Sequence, residues 1–321
     1  MNSDSGQRVP AWGLRTRFHA EARTERTLTQ ASPAREADRR RAPVETRRLD
    51  TFPAATPCDL GRASKTREKL RRGWTTQAHR RTSIRPCVFT GHPAWRPIGA
   101  AMATTAVVTV LSYLVPPEHA ASAVGIAFFI ATYFLALRGD DAATDRYGLS
   151  LGGLLDPEPL DFGKLFRSAA TELAWALGIC AVIFPPFWLG FKLWWHPASP
   201  FHWASPKSVA GDALGQFLVI ALPEEGFYRG YLQTRLDEVW KPNVALLGAL
   251  VGPGLVVTSV VFAMGHLATE VNPNRLAVFF PSLLFGWLRE RRGGIGSAAA
   301  LHALCNLFAS YLAECYGIGP R

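Results

Sequence analysis

The chain has 321 residues, of which 48% are hydrophobic and only 19% charged, with 10 Trp and 19 Phe. An ordinary soluble domain carries about a quarter charged residues. The formal net charge of +10 arises in the first hundred residues, where 21 Lys and Arg stand against 9 Asp and Glu. This local imbalance does not indicate a nucleic-acid partner, and five cysteines without a CxxC pair exclude a disulfide framework and a structural zinc site.

Residues 1–95 are predicted to be a disordered basic N-terminal arm. Arg, Ala, Thr, Ser and Pro dominate this segment, and no apolar periodicity is sustained along it. Such a composition buries too little apolar surface to offset the entropy of ordering. No apolar stretch of signal-peptide length follows the basic residues. A start of translation further downstream is the alternative interpretation of this segment.

From residue 98 onward, apolar segments of membrane-spanning length follow one another, and they predict an all-α, polytopic membrane helix bundle over residues 98–317. About seven transmembrane helices are expected, the sixth being the shortest. The predicted spans are Ile98–Val115, His119–Leu137, Ser168–Phe191, Val209–Leu236, Val244–His266, Leu276–Leu288 and Ile295–Tyr316.

Basic residues orient the predicted bundle. With seven spans, the basic arm and the basic residues that flank spans two, three, four and six all fall on one side of the membrane. The positive-inside rule assigns that side to the cytoplasm. We therefore expect a multi-pass protein of the bacterial inner (plasma) membrane, with its basic loops in the cytoplasm.

The fourth span contains ionisable residues. Burying such residues in a membrane is energetically unfavourable, and their presence in a span indicates a functional site. Glu225 and Arg229 are four residues apart on one helix face, where an ion pair neutralises both charges. Glu224 points about 100° away from Glu225 around the helix, so it has no partner on its own helix. An unpartnered carboxylate suits a general base, whereas a plain salt bridge at a helix end is the alternative.

Two further motifs place histidines in the last spans. His266 ends the Phe-Ala-Met-Gly-His sequence of span five, and taken alone it is more typical of a hydrogen-bonded core histidine. His302 and Asn306 share one face of span seven, where hydrogen bonding between helices is the alternative role. At the helical rise of about 1.5 Å per residue, Glu224, His266, His302 and Asn306 lie at similar depths from the cytoplasmic ends of their helices. For His266 this holds if the fifth helix begins near Gly252-Pro253-Gly254. We expect one cavity at mid-depth, open to the cytoplasmic side.

The three motifs in this order resemble the CAAX-protease and bacteriocin-processing family, the bacterial relatives of the Ras-converting endopeptidase. The resemblance covers about residues 165–316 and includes Glu224-Glu225-x-x-x-Arg229, Phe262-x-x-x-His266 and His302-x-x-x-Asn306. It implies a glutamate-dependent intramembrane endopeptidase that cleaves a membrane-anchored protein or peptide near its membrane-embedded or C-terminal end.

The resemblance also implies a role for each motif residue. Glu224 would deprotonate the attacking water, His266 would help to hold that water, and His302 with Asn306 would form the oxyanion hole. Glu225 and Arg229 would be the structural ion pair. No cofactor and no metal are expected; a zinc ion held by Glu224, His266 and His302 is the alternative, although HExxH spacing is missing.

Other function classes stay open at this point. A proton-coupled transporter or a transport-associated membrane protein also buries Glu, His and Arg between helices. The charged groups lie only in spans four to seven and no inverted repeat is apparent, which favours an enzyme. A zinc-dependent membrane protease of the same fold and a non-catalytic family member are also compatible with the motifs. The expected partners are the lipid bilayer and the anchored substrate, without nucleic acid.

Overall fold

A computed structural model describes residues 93–139, 142–156 and 159–318 of the chain. The arm predicted for residues 1–95 lies outside these residues, apart from its last three positions. Helices dominate the described part, and the prediction of an all-α membrane bundle is confirmed.

Three helices are long and apolar enough to cross a membrane. They are α1 (Trp95–Leu114), α2 (Pro117–Thr132) with its π-helical extension Tyr133–Leu137, and, after a short helix α3 (Ala143–Arg146), the 34-residue α4 (Phe162–Trp195). A Pro-Pro turn separates α1 from α2, because proline starts a helix well but cannot continue one. The first three predicted spans are thereby confirmed, and α4 extends beyond both ends of the predicted Ser168–Phe191.

The fourth predicted span is an irregular helix. After the short α5 (Pro206–Ala210), helical structure runs without a gap from residue 213 to residue 239. It comprises α6 (Ala213–Gly215), a π segment (Gln216–Ala221), α7 (Leu222–Glu225), a second π segment (Gly226–Gln233) and α8 (Thr234–Val239). Local π geometry within α-helices is frequent at functional sites. Here the two wide segments enclose the adjacent glutamates.

The prediction of a helix from Val244 is wrong. Residues Val244–Leu246 (β1) and Ala249–Val251 (β2) form an antiparallel hairpin. Leu247 and Gly248, which form its two-residue turn, have φ angles of 45° and 79°. Positive φ at both central positions is what a tight hairpin turn requires, and glycine supplies it at low cost.

The last three helices follow the hairpin. Helix α9 (Pro253–Thr269) begins at the Gly252-Pro253-Gly254 sequence, since proline is favoured in the first helical turn. A 3₁₀ segment (Pro273–Val278) leads into α10 (Phe279–Arg292), and α11 (Gly296–Cys315) follows after a glycine turn. Predicted span six falls in the 3₁₀ segment and α10, and predicted span seven falls in α11, but neither helix is among the three that are long and apolar enough to cross a membrane.

The basic loops gather at one end of the bundle, which we call the basic end. Arg146, after α2, pairs with Glu238 at the end of the 213–239 helix at 2.6 Å. The N–H of Ile295, after α10, donates to the carbonyl of Gly148 at 3.0 Å. Glu172, near the start of α4, pairs with Arg292 at 2.9 Å and accepts from the N–H of Ser297 at 3.1 Å. These contacts bring the described basic loops together at one end of the bundle, while their side of the membrane stays a prediction.

The core packs the irregular helix against α2, α9 and α10. Its aromatic centre is formed by side chains that are at most 3% exposed: Phe128, Phe227, Tyr228, Phe262 and Phe285. Ring contacts join the first four of these residues, for example Tyr228 with Phe262 at 5.0 Å between centroids, whereas Phe285 stacks on His302. The core thus surrounds the charged groups of the fourth span.

Candidate active site

Glu225 and Arg229 form an ion pair at the centre of the bundle. Nη1 of Arg229 donates to Oε1 of Glu225 at 2.9 Å, and neither side chain is exposed at all. The second guanidinium nitrogen donates to the hydroxyl of Ser282 at 2.6 Å and to the Ser282 carbonyl at 3.1 Å. The rings of Phe262 and Phe285 lie within 4.5 and 5.3 Å of the guanidinium carbon. Arg229 is therefore held by charge, hydrogen bonds and aromatic faces together.

His302 joins the same carboxylate, a contact that the sequence analysis did not anticipate. Nδ1 of His302 lies 2.9 Å from Oε1 of Glu225. Because the carboxylate accepts, Nδ1 carries a proton, and Nε2 is the nitrogen that faces Glu224. The imidazole is stacked on Phe285 with centroids 4.9 Å apart. Glu225 thus orients His302 as well as neutralising Arg229.

Glu224 lacks the contacts that fix its neighbour. Its Oε2 is buried and makes no hydrogen bond, and it lies 3.9 Å from Nε2 of His302. The residue as a whole is 8% exposed, against 0% for Glu225. Oε2 of Glu225 also makes no hydrogen bond, but Glu225 does not line the cavity described below, whereas Glu224 does. Of the two adjacent carboxylates, Glu224 is therefore the one placed to bind water or a proton.

His266 is fixed by its own helix. Its Nδ1 lies 3.0 Å from the carbonyl oxygen of Phe262, one turn earlier in α9. A carbonyl only accepts, so Nδ1 donates and Nε2 keeps its lone pair. That nitrogen can accept a hydrogen bond from a water molecule.

Asn306 is oriented by a residue that the sequence analysis missed. Its Nδ2 donates to Oε1 of Gln216 at 3.2 Å, and Gln216 is only 6% exposed. An amide nitrogen carries two hydrogens, so one remains for a further acceptor. Gln216 lies in an apolar segment, eight residues before Glu224. A polar residue in such a segment is the sequence feature that could have identified Gln216 as part of the site.

The four proposed catalytic residues line one cavity of about 850 Å³. Its other walls are mostly aromatic and aliphatic side chains, and its polar lining also includes Gln216, Glu270 and Arg275. Arg275 pairs with Glu270 through Nε at 3.3 Å. The structure therefore gathers Glu224, His266, His302 and Asn306 around a space large enough for a peptide segment.

The cavity extends away from the basic end, contrary to the sequence-based expectation of an opening on the side of the basic loops. Its lining reaches the last turn of α1 at Ser112, the start of α2 at Pro117 and the end of α4 at Trp195. Thr269, the last residue of α9, also lines it. These four positions share the end of the bundle opposite the basic loops, because the hydroxyl of Tyr113 donates to the carbonyl of Ala268 at 3.2 Å and Trp188 donates to Tyr316 at 2.9 Å.

The zinc hypothesis can be tested on the donor set itself. Within residues 93–139, 142–156 and 159–318, no group of three or more His, Cys, Asp or Glu side chains has the spacing of a metal site. Glu224, His266 and His302 do not form such a set. The described residues therefore do not fit a three-ligand zinc site.

Comparison with protein-family models gives one match. Residues 206–308 match the family described as type II CAAX prenyl endopeptidase Rce1-like. No curated protein and no solved structure matches the chain. The matched range includes all three motifs and every residue of the ion pair and the candidate active site. Over residues 206–308 the chain is therefore similar to the type II CAAX prenyl endopeptidases, and three of its helices are long and apolar enough for an integral membrane protein.

Proposed function

We propose that the chain is a glutamate-dependent intramembrane endopeptidase that needs no metal. The observation that carries this proposal is the unequal engagement of two adjacent carboxylates. Glu225 is held by Arg229 and His302 and does not line the cavity, whereas Glu224 lines the cavity with an oxygen that makes no hydrogen bond. A buried carboxylate with a free oxygen is suited to remove a proton from water.

The proposed reaction begins with a water molecule between Glu224 and His266. Glu224 takes one proton from the water while Nε2 of His266 accepts a hydrogen bond from the other. The water oxygen then forms a bond to the carbonyl carbon of the scissile peptide, whose oxygen becomes an oxyanion. The proton held by Glu224 passes to the leaving nitrogen as the C–N bond breaks, so the carboxylate is regenerated.

Asn306 and His302 are proposed to stabilise the oxyanion. Asn306 has a second amide hydrogen besides the one bound by Gln216, and it donates without any change of protonation. His302 donates through Nε2 only when it carries both ring protons, since Nδ1 is engaged by Glu225. A single donor of this kind contributes about 3–4 kcal/mol to transition-state stabilisation in other proteases.

The substrate is proposed to be a membrane-anchored protein or peptide cleaved near its membrane-embedded or C-terminal end. The walls of the cavity support this class, since Phe184, Phe187, Phe191 and Trp194 of α4 offer an apolar surface beside the site. Comparing C-terminal fragments between a wild-type and a deletion strain by proteomics would identify the substrates.

We further propose that the basic end faces the cytoplasm, so that the cavity is entered from the opposite half of the bilayer. A single cysteine at Lys164 marks the basic end, and one at Glu118 marks the opposite end. In a cysteine-free background, a membrane-impermeant maleimide added to intact cells should label position 118 and leave position 164 unlabelled. The reverse labelling pattern would show that the orientation is inverted.

The decisive experiment uses purified full-length protein in proteoliposomes with a membrane-anchored reporter peptide. Product masses should show the addition of one water at a single peptide bond. Glu224→Gln should reduce the rate at least 100-fold, as loss of a general base does. Glu118→Gln, at an exposed site in the first turn of α2, is the matched control and should keep the wild-type rate. Undiminished cleavage by Glu224→Gln would refute the proposed base.

A further inference from the structure

A second large concavity lies outside the active site. It is a groove of about 960 Å³ between α4, the β1–β2 hairpin and α10. None of the residues that line it is charged; two of them, Ile183 and Leu284, also line the catalytic cavity, but none is a proposed catalytic residue. Its lining is Ala170, Thr171, Ala174, Trp175, Gly178, Ile179, Val182, Ile183, Leu246, Leu247, Val251, Leu255, Leu283, Leu284 and Trp287.

The length of the groove suits one leaflet of a bilayer. Along α4 its lining runs from residue 170 to residue 183, which is about 20 Å at the helical rise of 1.5 Å per residue. One leaflet accounts for half of a hydrocarbon core that is about 30 Å thick. An extended acyl chain therefore fits the groove from its headgroup end to the middle of the membrane.

A cation stands beside the groove toward the basic end. The guanidinium of Arg291 lies over the ring of Trp175, with 5.1 Å from Cζ to the centroid. It packs against the hairpin turn, where a side chain on residue 248 would come within 3.0 Å of Nε of Arg291. Trp287, which lines the groove, is one helical turn before Arg291 and donates to the carbonyl of Leu246 at 3.0 Å.

Arg291 forms no ion pair with the carboxylates in the described part of the chain. The neighbouring Arg292 also lies over Trp175, at 5.6 Å, but its charge is paired with Glu172. Among the residues that the structure describes, no carboxylate lies within 4.0 Å of Arg291. An apolar groove with one such guanidinium at its membrane-surface end is complementary to a lipid that carries a negative headgroup.

We propose that this groove is a binding site for one anionic phospholipid. An acyl chain occupies the space between α4 and the hairpin, and the phosphate of the headgroup binds Arg291. Trp175 and Trp287 flank the headgroup region, where amphipathic aromatic rings are favoured. The groove shares the wall residues Ile183 and Leu284 with the catalytic cavity but contains no proposed catalytic residue, so the proposal does not depend on the proposed reaction.

The test measures lipid binding to the purified full-length protein in mild detergent by native mass spectrometry. Phosphatidylglycerol and phosphatidylcholine with identical acyl chains serve as the charged and the zwitterionic probe. One phosphatidylglycerol should bind about 5-fold more tightly than phosphatidylcholine, since a basic residue near an anionic surface contributes about 1 kcal/mol. Arg291→Gln should abolish this preference and leave phosphatidylcholine binding unchanged.

A second variant fills the groove instead of removing the charge. Gly178 is exposed on α4, and a Cβ built there meets no atom within 4 Å, so Gly178→Leu adds bulk without strain. Binding of both lipids at this site should fall at least 5-fold, a change as large as the charge effect. Unlike Arg291→Gln, this variant should weaken the binding of phosphatidylcholine as well as that of phosphatidylglycerol.

Matched controls exist for both changes. Arg138 lies over Phe134 at 5.5 Å but away from the groove, so Arg138→Gln should leave the preference intact. Gly99 on α1 is equally open, so Gly99→Leu should leave binding of both lipids intact. Equal binding of the two lipids by the wild-type protein, or an unchanged preference in Arg291→Gln, would overturn the proposal. So would unchanged binding in Gly178→Leu.

Discussion

Substituting Glu225 by glutamine tests how the two adjacent carboxylates divide their roles. The change leaves Arg229 buried without its negative partner, and breaking a buried pair costs about 3–5 kcal/mol. Arg229 keeps its two hydrogen bonds to Ser282 and its contacts with Phe262 and Phe285. We therefore expect a loss near the lower limit, about 3 kcal/mol, which lowers the melting midpoint of a domain of this size by about 6–12 °C.

Glu224→Gln should behave in the opposite way. Its Oε2 makes no hydrogen bond in the folded protein, so an amide replaces it at little cost in stability. We expect the melting midpoint to change by less than about 2 °C, while cleavage falls by about 10²–10⁴-fold. The assays are the melting midpoint of the purified protein and the rate of peptide cleavage in proteoliposomes, with Glu118→Gln as the control for both.

The double variant Glu225→Leu with Arg229→Leu extends this test. It removes both charges, so most of the stability lost in Glu225→Gln should return. Activity should stay low, because Nδ1 of His302 loses the acceptor that orients it. If Glu224→Gln and Glu225→Gln behave alike in both assays, the assigned roles of the two glutamates are wrong, even if the protein cleaves peptides.

Four further predictions concern different parts of the molecule. A chain that begins at residue 88 should insert into membranes and cleave the reporter peptide at the wild-type rate; loss of either property would show that the arm contributes. Strong chelators should leave cleavage within about twofold, because the described residues offer no three-ligand site; a complete loss that zinc restores would contradict the metal-free mechanism. Glu172→Gln should lower the free energy of unfolding by about 1–3 kcal/mol relative to Glu118→Gln, because Glu172 binds both Arg292 and the N–H of Ser297. Burial and the nearby Glu290 raise the pKa of Asp237, which follows the predicted fourth span, to about 7. The folded state therefore holds this proton longer than the unfolded state, and stability falls as pH rises from about 4 to 7. Asp237→Asn should lose this dependence. Its melting midpoint should therefore increase relative to that of the wild type as the pH is raised from 5 to 8.

The sequence predicted those features that depend on short segments of the chain. Apolar length located α1, α2 and α4, and the Glu-x-x-x-Arg spacing placed Glu225 beside Arg229, as the structure shows. The prediction from the sequence was wrong at residues 244–251, because a continuous apolar composition is compatible with a buried helix as well as with a strand. Two positive φ angles at Leu247 and Gly248 decide for the hairpin, and apolar periodicity carries no information about them.

Features that depend on packing between distant segments were beyond the reach of sequence analysis. The contact of His302 with Glu225 joins positions 77 residues apart. The hydrogen bond of Asn306 to Gln216 joins positions 90 residues apart. The direction of the cavity was mistaken for a related reason. Helical rise gives the depth of a residue along its own helix, whereas the open side depends on how the ends of α1, α2 and α4 pack around it.

The contact between His302 and Glu225 also bears on how charge is balanced during the proposed reaction. With Glu224 and Glu225 ionised, Arg229 charged and His302 neutral, the cluster carries one negative charge, on Glu224, since Arg229 pairs with Glu225. When Glu224 takes a proton from water and the oxyanion forms, that charge moves to the substrate and the total does not change. A buried site favours such a step, because moving a charge over a short distance costs less than creating one in a medium of low dielectric constant.

The same geometry makes Asn306 the donor that needs no prior protonation. His302 can donate only once Nε2 has gained a proton, and Nε2 lies 3.9 Å from Glu224. The two groups assigned to the oxyanion hole are therefore not equivalent, a distinction that follows from the hydrogen bond at Nδ1 and not from the motif.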